Sequence, residues 1–194
     1  MKENEMTKIL ILALIILAGG LMMAENPQVV LNTNYGDITL ELYPEKAPIS
    51  VANFLQYVND GFYSGVVFHR VIAGFMIQTG GFGIDGSRKE TLSPIKNEAD
   101  NGLLNDYGTI AMARTNAVDS ATSQFFINVK DNDFLNNSGR NFGYSVFGKA
   151  IAGLDVIKKI EASPTASKKG MGDWPVEDII ITGASVVETQ EITE

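Results

Sequence analysis

A mainly β domain, a closed antiparallel barrel of about eight strands with two helices, is predicted by three observations. Short runs of β-branched and aromatic residues recur along the chain, turn residues separate them, and two segments alone carry helical spacing. This pattern leaves a barrel and a two-sheet sandwich both open. At 194 residues the chain is long enough for one domain with a substantial core, and no change of composition marks an internal linker.

Each element follows from its own residues. Val29 to Thr33 and Ile38 to Leu42 flank Asn34-Tyr35-Gly36-Asp37, and the second run alternates apolar with polar, so the pair reads as a β-hairpin. Ser50 is placed to cap a helix that carries Val51, Phe54, Leu55 and Val58 on one face, and Gly61 to end it in a left-handed conformation. Val66 to Val71 and Phe75 to Gln78 read as strands joined by a bend at Ala73-Gly74. Alternation along the first sets Arg70 and Phe68 on one face and His69 and Val71 on the other, and Arg70 and Phe75 then line one groove. The connection from Phe82 to Asp106 is rich in Gly, Ser, Pro and charge, so it lies on the surface and is placed to shape a groove. Further strands are expected at Thr109 to Met112, Phe125 to Val129, Ser145 to Phe147 and Ile179 to Val187. A second helix runs from Gly153 to Ile160, with Leu154, Ile157 and Ile160 at three-residue spacing. Phe125 and Phe126, being adjacent in a strand, must face opposite ways.

Charge and composition exclude several functions. With 23 acidic against 15 basic side chains, the net charge of -8 repels nucleic-acid phosphates. Glu98-Ala99-Asp100 and Asp131-Asn132-Asp133 read as solvated loop charges. Cysteine is absent, which removes disulfides, a thiolate nucleophile and cysteine-based zinc sites. His69 is the one histidine, and nothing else supports a metal centre or a Ser-His-Asp triad, so its ring is read as packed beneath its strand. No metal and no cofactor is expected. Gly80-Gly81-Phe82-Gly83 is followed neither by a helix pattern nor by a Lys-Ser or Lys-Thr pair, and is not read as a phosphate loop.

The N-terminus reads as a secretory signal. Lys2 and Lys8 precede an apolar stretch from Ile9 to Met23, and Ala24 introduces the polar Glu25-Asn26-Pro27. At about 15 residues, interrupted by Gly19-Gly20, the stretch is short for a membrane span. Cleavage is expected after Ala24, giving a leader over 1–24 and a domain over 25–194. Met22 is large for the position three before the cut, which keeps an uncleaved anchor as the alternative, and initiation at Met6 would remove Glu3 and Glu5. Without cysteine there is no lipoprotein. Periplasmic export is expected, with secretion or membrane anchoring as alternatives, and a monomer, since no additional amphipathic or heptad segment is present.

The run Phe68-His69-Arg70-Val71-Ile72-Ala73-Gly74-Phe75-Met76-Ile77-Gln78-Thr79-Gly80-Gly81 resembles the signature FHRVIPGFMIQGG of the cyclophilins, the peptidyl-prolyl cis/trans isomerases, with Ala73 and Thr79 as departures. Gly108 to Arg114 is similar to the family's GxxxMA segment, Ser123 to Ile127 to its SQFFI strand and Val146 to Lys149 to its VFGK strand. The resemblance extends from about Val29 to about Val187 and is strongest to the bacterial periplasmic members. It implies a closed eight-stranded barrel with a helix at each end, and isomerase activity on proline-containing, unfolded or partly folded polypeptides. By the same resemblance Arg70, Phe75 and Gln78 are catalytic, and Phe75, Met76, Phe126 and Leu135 form the proline pocket. Gln78 and Gln124 surround the substrate backbone, and Ala113 and Arg114 form the adjoining edge. Phe134 and Tyr144 stand where many eukaryotic members carry tryptophan and histidine. Phe134 lacks the indole N–H that helps hold cyclosporin, so weak cyclosporin binding is implied.

The residues suit that chemistry. Rotation about X-Pro crosses a barrier of roughly 18–20 kcal/mol set by amide resonance and breaks no bond, so neither nucleophile nor metal is required. On twisting, the prolyl nitrogen becomes a better acceptor, which a fixed guanidinium rewards more in the transition state than in the ground state. The alternative is a non-catalytic proline-binding or chaperone module using the same groove, because ground-state binding alone does not speed rotation. Retention of Arg70 favours the enzyme. A purely structural envelope barrel would account for the export signal but not for the groove residues.

Overall fold

The computed structural model describes residues 25–187, so the leader expected over 1–24 lies outside the described residues. β1 (Gln28–Thr33) and β2 (Gly36–Leu42) form the expected hairpin. Then follow α1 (Pro48–Asn59), β3 (Val66–Val67), β4 (Arg70–Ile72), β5 (Met76–Thr79), β6 (Thr109–Met112) and β7 (Phe125–Asn128). A 3-10 turn at Asp133–Leu135 leads to β8 (Val146–Ala152), α2 (Leu154–Glu161), a small hairpin of β9 (Thr165–Lys168) and β10 (Met171–Pro175), and β11 (Ile180–Val186).

Nine strands form one antiparallel sheet in the order β3-β11-β1-β2-β8-β6-β7-β5-β4. Its two edges, β3 and β4, are consecutive pieces of a single run, so the sheet curls until both edges meet in one stretch of chain. The seam is held by Val67 N–H on the Phe82 carbonyl at 3.0 Å and Thr79 Oγ1 on the Val67 carbonyl at 3.0 Å. The expected closed barrel is therefore a curled sheet with a seam, not a continuous ladder; taking β3 and β4 as one broken strand recovers the eight strands. The break also corrects the alternation expected there. Phe68 packs in the barrel interior together with Val71, whereas Arg70 points outward, because the chain leaves the ladder at Phe68 and His69.

Inside the barrel, Leu31, Ile38, Leu40, Phe125, Ile127 and Phe147 are fully buried. α1 contributes Val51, Phe54 and Val58 to this core, and the Phe54 ring lies 5.2–5.3 Å from those of Tyr63, Phe125 and Phe147. α2 contributes Val156, Ile157 and Ile160. Leu154, expected on its buried face, is exposed, because the core-facing stripe of this short helix starts at Val156. Burial of each large apolar side chain is worth about 1.5–3 kcal/mol, which makes these helices integral to the barrel.

Helix α1 starts earlier than its expected cap. Pro48 occupies its first turn, where a missing N–H costs nothing, and Ala47 at the cap position makes no side-chain bond. The capping acceptor comes instead from Glu98: its carboxylate accepts Ile49 N–H at 3.0 Å, Ser50 N–H at 2.7 Å and Ser50 Oγ–H at 2.7 Å. Glu98 is thus buried, and not a solvated loop charge, because a carboxylate at a helix N-terminus satisfies orphan donors and the helix dipole together. The far end behaves as expected, with Gly61 at φ +65 and its N–H on the Val58 carbonyl at 3.0 Å.

The β9–β10 hairpin was not expected, since neither strand shows apolar alternation. Trp174 anchors it, fully buried and donating its indole N–H to Asp178 Oδ1 at 2.8 Å, the oxygen that also accepts Lys168 Nζ at 2.7 Å. Among the described residues no helix is long and apolar enough to cross a membrane.

Glu98→Gln leaves an amide N–H facing the N-terminus of α1, and is expected to destabilise the domain by about 2 kcal/mol. Urea unfolding checks this; a midpoint equal to that of the parent protein would show that the cap carries no weight.

Candidate active site

The site is built on the outer side of four neighbouring strands. Ladder register pairs Arg70 with Gln78, Gln78 with Phe126, and Phe126 with Ala111, so one row of side chains crosses β4, β5, β7 and β6 on the same side. The next row pairs Ile72 with Met76. On the opposite side Val71, Ile77, Ile127 and Ile110 enter the barrel core. Phe125 and Phe126 divide as strand geometry requires, Phe125 inward against Phe54 and Phe126 outward against Tyr144, whose rings meet edge-on at 5.7 Å.

Outward-facing Met76, Ala111, Phe126, Leu135 and Val146 form a second apolar cluster, separate from the barrel core. Above it lies a groove of about 310 Å³ lined by Arg70, Phe75, Met76, Gln78, Ala113, Arg114, Phe126, Leu135 and Tyr144. The structure thus gathers nine of the eleven residues singled out in the sequence around one space. Gln124 lies in an adjoining cavity, bound to the groove through the Gln78 Nε2–H to Gln124 Oε1 bond of 3.0 Å. Phe134 stands at the rim, 66% exposed, with its ring 5.5 Å from that of Phe75.

Arg70 is positioned but not consumed. Its guanidinium carbon lies 6.0 Å from the Phe75 ring centroid and its Nε 3.9 Å from Asp173 Oδ2 on β10, with both side chains over two-fifths exposed. An exposed pair of this kind contributes at most about 1 kcal/mol and leaves the donor fork free for a ligand. Asp173 adopts φ +58, a conformation that Asp tolerates better than most residues.

Buried polar groups fix the turn that carries Phe75. Its carbonyl accepts Val129 N–H at 3.1 Å and Asn132 Nδ2–H at 2.8 Å, and Asn132 in turn is tied to Asn128 Oδ1 at 2.8 Å. Across the bend, Gly74 N–H donates to Glu161 Oε1 at 2.8 Å, at the end of α2. Asn132 is buried although it sits in a stretch read as solvated, because the asparagines serve as internal braces while Asp131 and Asp133 stay exposed.

The adjoining cavity, about 230 Å³, shares Gln78, Ala113 and Arg114 with the groove and adds Arg88, Thr91 and Ser120. Arg88 and Thr91 belong to the connection between Phe82 and Asp106, which was expected to shape a groove but offered no motif to select residues. Gly81 lets Gln124 lie against the backbone: a Cβ there would sit 2.6 Å from Gln124 Cδ. Arg114 is clamped by Nε on the Gly143 carbonyl and Nη1 on the Thr115 carbonyl, both at 3.0 Å, and lies 4.7 Å from the Tyr144 ring centroid.

His69 is packed as expected, its ring 4.7 Å from that of Phe82 and 6.3 Å from that of Trp174. Burial lowers its pKa from 6.5 to about 4, so the ring is neutral near pH 7, and among the described residues its Nδ1 meets no partner. It stands behind Arg70 and takes no part in the groove lining.

Residues 28–186 match the family described as cyclophilin type peptidyl-prolyl cis-trans isomerase/CLD. The chain is 53% identical over 160 residues to peptidyl-prolyl cis-trans isomerase A of Dickeya dadantii, covering 82% of this chain and 84% of that one. It is 52% identical over 163 residues to peptidyl-prolyl cis-trans isomerase B of Escherichia coli, covering 82% and 99% respectively. Among solved structures, a cyclophilin type peptidyl-prolyl cis-trans isomerase of Cryptosporidium parvum superposes with a TM-score of 0.71 at 28% identity, over 84% of this chain and 99% of that one.

The depressed His69 pKa has a sign that can be tested. Between pH 6.5 and about 4 the unfolded ring takes up a proton that the folded ring refuses, so stability present above pH 6.5 is lost as pH falls through this window. In urea unfolding at pH 7 and pH 4, the parent protein is expected to lose roughly 3 kcal/mol more than His69→Phe. Equal losses would refute a buried neutral imidazole.

Proposed function

The chain belongs to the cyclophilin-type peptidyl-prolyl cis-trans isomerases and accelerates rotation about X-Pro bonds of proline-containing polypeptides; we propose that Arg70, set above the apolar floor of the groove, is its catalytic cation. The observation that carries this reading is the juxtaposition of a half-exposed guanidinium with the apolar side chains of Met76 and Phe126, in one groove on the same side of one sheet.

The proline ring enters against Met76, Phe126 and Leu135, which are already desolvated, with Phe75 on one side. Burying the ring contributes on the order of 1–3 kcal/mol of binding. Binding equally strong in planar and twisted amides would not help, so the rate comes from groups that prefer the twisted form. Arg70 meets that condition, because the prolyl nitrogen regains its lone pair as conjugation is lost and then accepts a hydrogen bond it would otherwise refuse. Gln78 and Gln124, mutually bonded, present oriented amides to the flanking backbone, and Ala113 and Arg114 line the adjoining wall. Each such bond is worth only about 1 kcal/mol net, so the grip is collective. No cofactor is needed, since no bond is made or broken.

The enzyme acts outside the cytoplasm, on exported chains that are still folding. What supports this is the basic, apolar and then polar order of residues 1–27, which suits a cleaved leader and periplasmic delivery. It works as a monomer. Phe134 lacks a ring N–H donor at the rim, which supports weak binding of cyclosporin.

Arg70→Ala is expected to leave the fold intact, because the side chain is substantially exposed, and to lower kcat/KM for a short X-Pro peptide by about 100-fold or more. NMR exchange measurements on the two proteins decide this, and undiminished exchange would sink the role of Arg70. Cyclosporin is expected not to inhibit the same exchange at nanomolar concentration; nanomolar inhibition would refute the reading of Phe134.

A further inference from the structure

Two arginines meet at the cavity beside the proline groove in a chain whose net charge is -8. Neither Arg88 nor Arg114 has a carboxylate within 4 Å among the described residues, whereas three other cations do. Every other lining residue of this cavity is uncharged, among them Thr91, Ser120 and Gln124. Arg88 is held with its guanidinium carbon 5.7 Å from the Phe82 ring centroid, and Arg114 is fixed by two backbone carbonyls and the Tyr144 ring. The arrangement is a positive pocket with no carboxylate within 4 Å of either guanidinium among the described residues.

The cavity directly adjoins the groove, as the next site along an extended chain must. Gln78, Ala113 and Arg114 border both spaces, so the two are immediate neighbours. In an extended peptide, side chains two positions apart share a face and are separated by roughly 6–7 Å. A proline ring in the groove therefore delivers the side chain two residues away into the cationic cavity.

We propose that Arg88 and Arg114 make this isomerase selective for polypeptides with an acidic side chain two residues from the proline. The proposal rests on the isomerase reading of the groove and adds a substrate class to it. The carboxylate exchanges water for two guanidinium groups, of which Arg114 is already fixed by two backbone carbonyls, while a lysine at the same place meets repulsion. Selectivity of this kind is screened by salt.

The test is proline exchange by NMR with the full chain and the peptides Xaa-Ala-Pro-Ala and Ala-Ala-Pro-Ala-Xaa, where Xaa is Glu, Gln or Lys. A Glu-over-Lys ratio of about five- to tenfold in kcat/KM is expected in one of the two series, falling toward unity between 0.05 and 0.5 M salt. In Arg88→Glu the ratio is expected to fall below unity; being internal to one protein, it is independent of how much active material is present. Equal rates for Glu, Gln and Lys in both series overturn the proposal while leaving the isomerase standing, as does an unchanged ratio in Arg88→Glu. Absence of acceleration for every peptide would instead defeat the reading on which it rests.

Discussion

Because a strand sends alternate side chains to opposite sides, the wall formed by β4, β5, β7 and β6 must serve two apolar surfaces at once. Val71, Ile77, Ile127 and Ile110 complete the barrel core, while Met76, Phe126 and Ala111, one position away in their strands, belong to the apolar cluster beneath the groove. The shape of the groove is therefore coupled to folding residue by residue. A register slip of one position would empty the core and fill the groove with aliphatic side chains in the same stroke. This explains why apolar residues stand next to one another in these strands, as Met76-Ile77 in β5, Ile110-Ala111 in β6 and Phe126-Ile127 in β7.

A surface so apolar needs polar groups to define its edges, and these come from distant parts of the chain. Glu161 at the end of α2 holds the bend before Phe75, Asn132 holds the Phe75 carbonyl, and Glu98 holds the start of α1. Each places an acceptor or donor where backbone groups would otherwise be buried without partners. The braces keep the aromatic rim and the arginine in fixed relation, which matters for an enzyme whose whole contribution is differential grip on a twisting amide.

The cations divide by environment. Arg70 borders the one carboxylate brought over by the β9–β10 hairpin and stays accessible, whereas Arg88 and Arg114 are held by aromatic faces and carbonyls. His69, the neighbour of Arg70 in the chain, is kept neutral by burial and adds no second charge near pH 7.

Strand alternation and the motif around Arg70 were legible in the sequence because they depend on local spacing: that Phe125 and Phe126 face opposite ways and that His69 is packed follow from period two and residue type, while the resemblance selected Phe126 as the one that faces the groove. The family and the groove-lining set were legible through the resemblance carried by the runs beginning at Phe68, Gly108 and Ser123. Tertiary structure alone decided what depends on groups far apart in the chain. It joined the barrel through a broken strand that turned Phe68 inward, chose Glu98 as the cap of a helix 48 residues away from it, and laid Asp173 beside Arg70. It also brought Arg88 and Arg114 to one cavity. Periodicity records which way a side chain points along its own strand; which distant charge or carbonyl it meets is settled only when the sheet curls and the loops are laid across it.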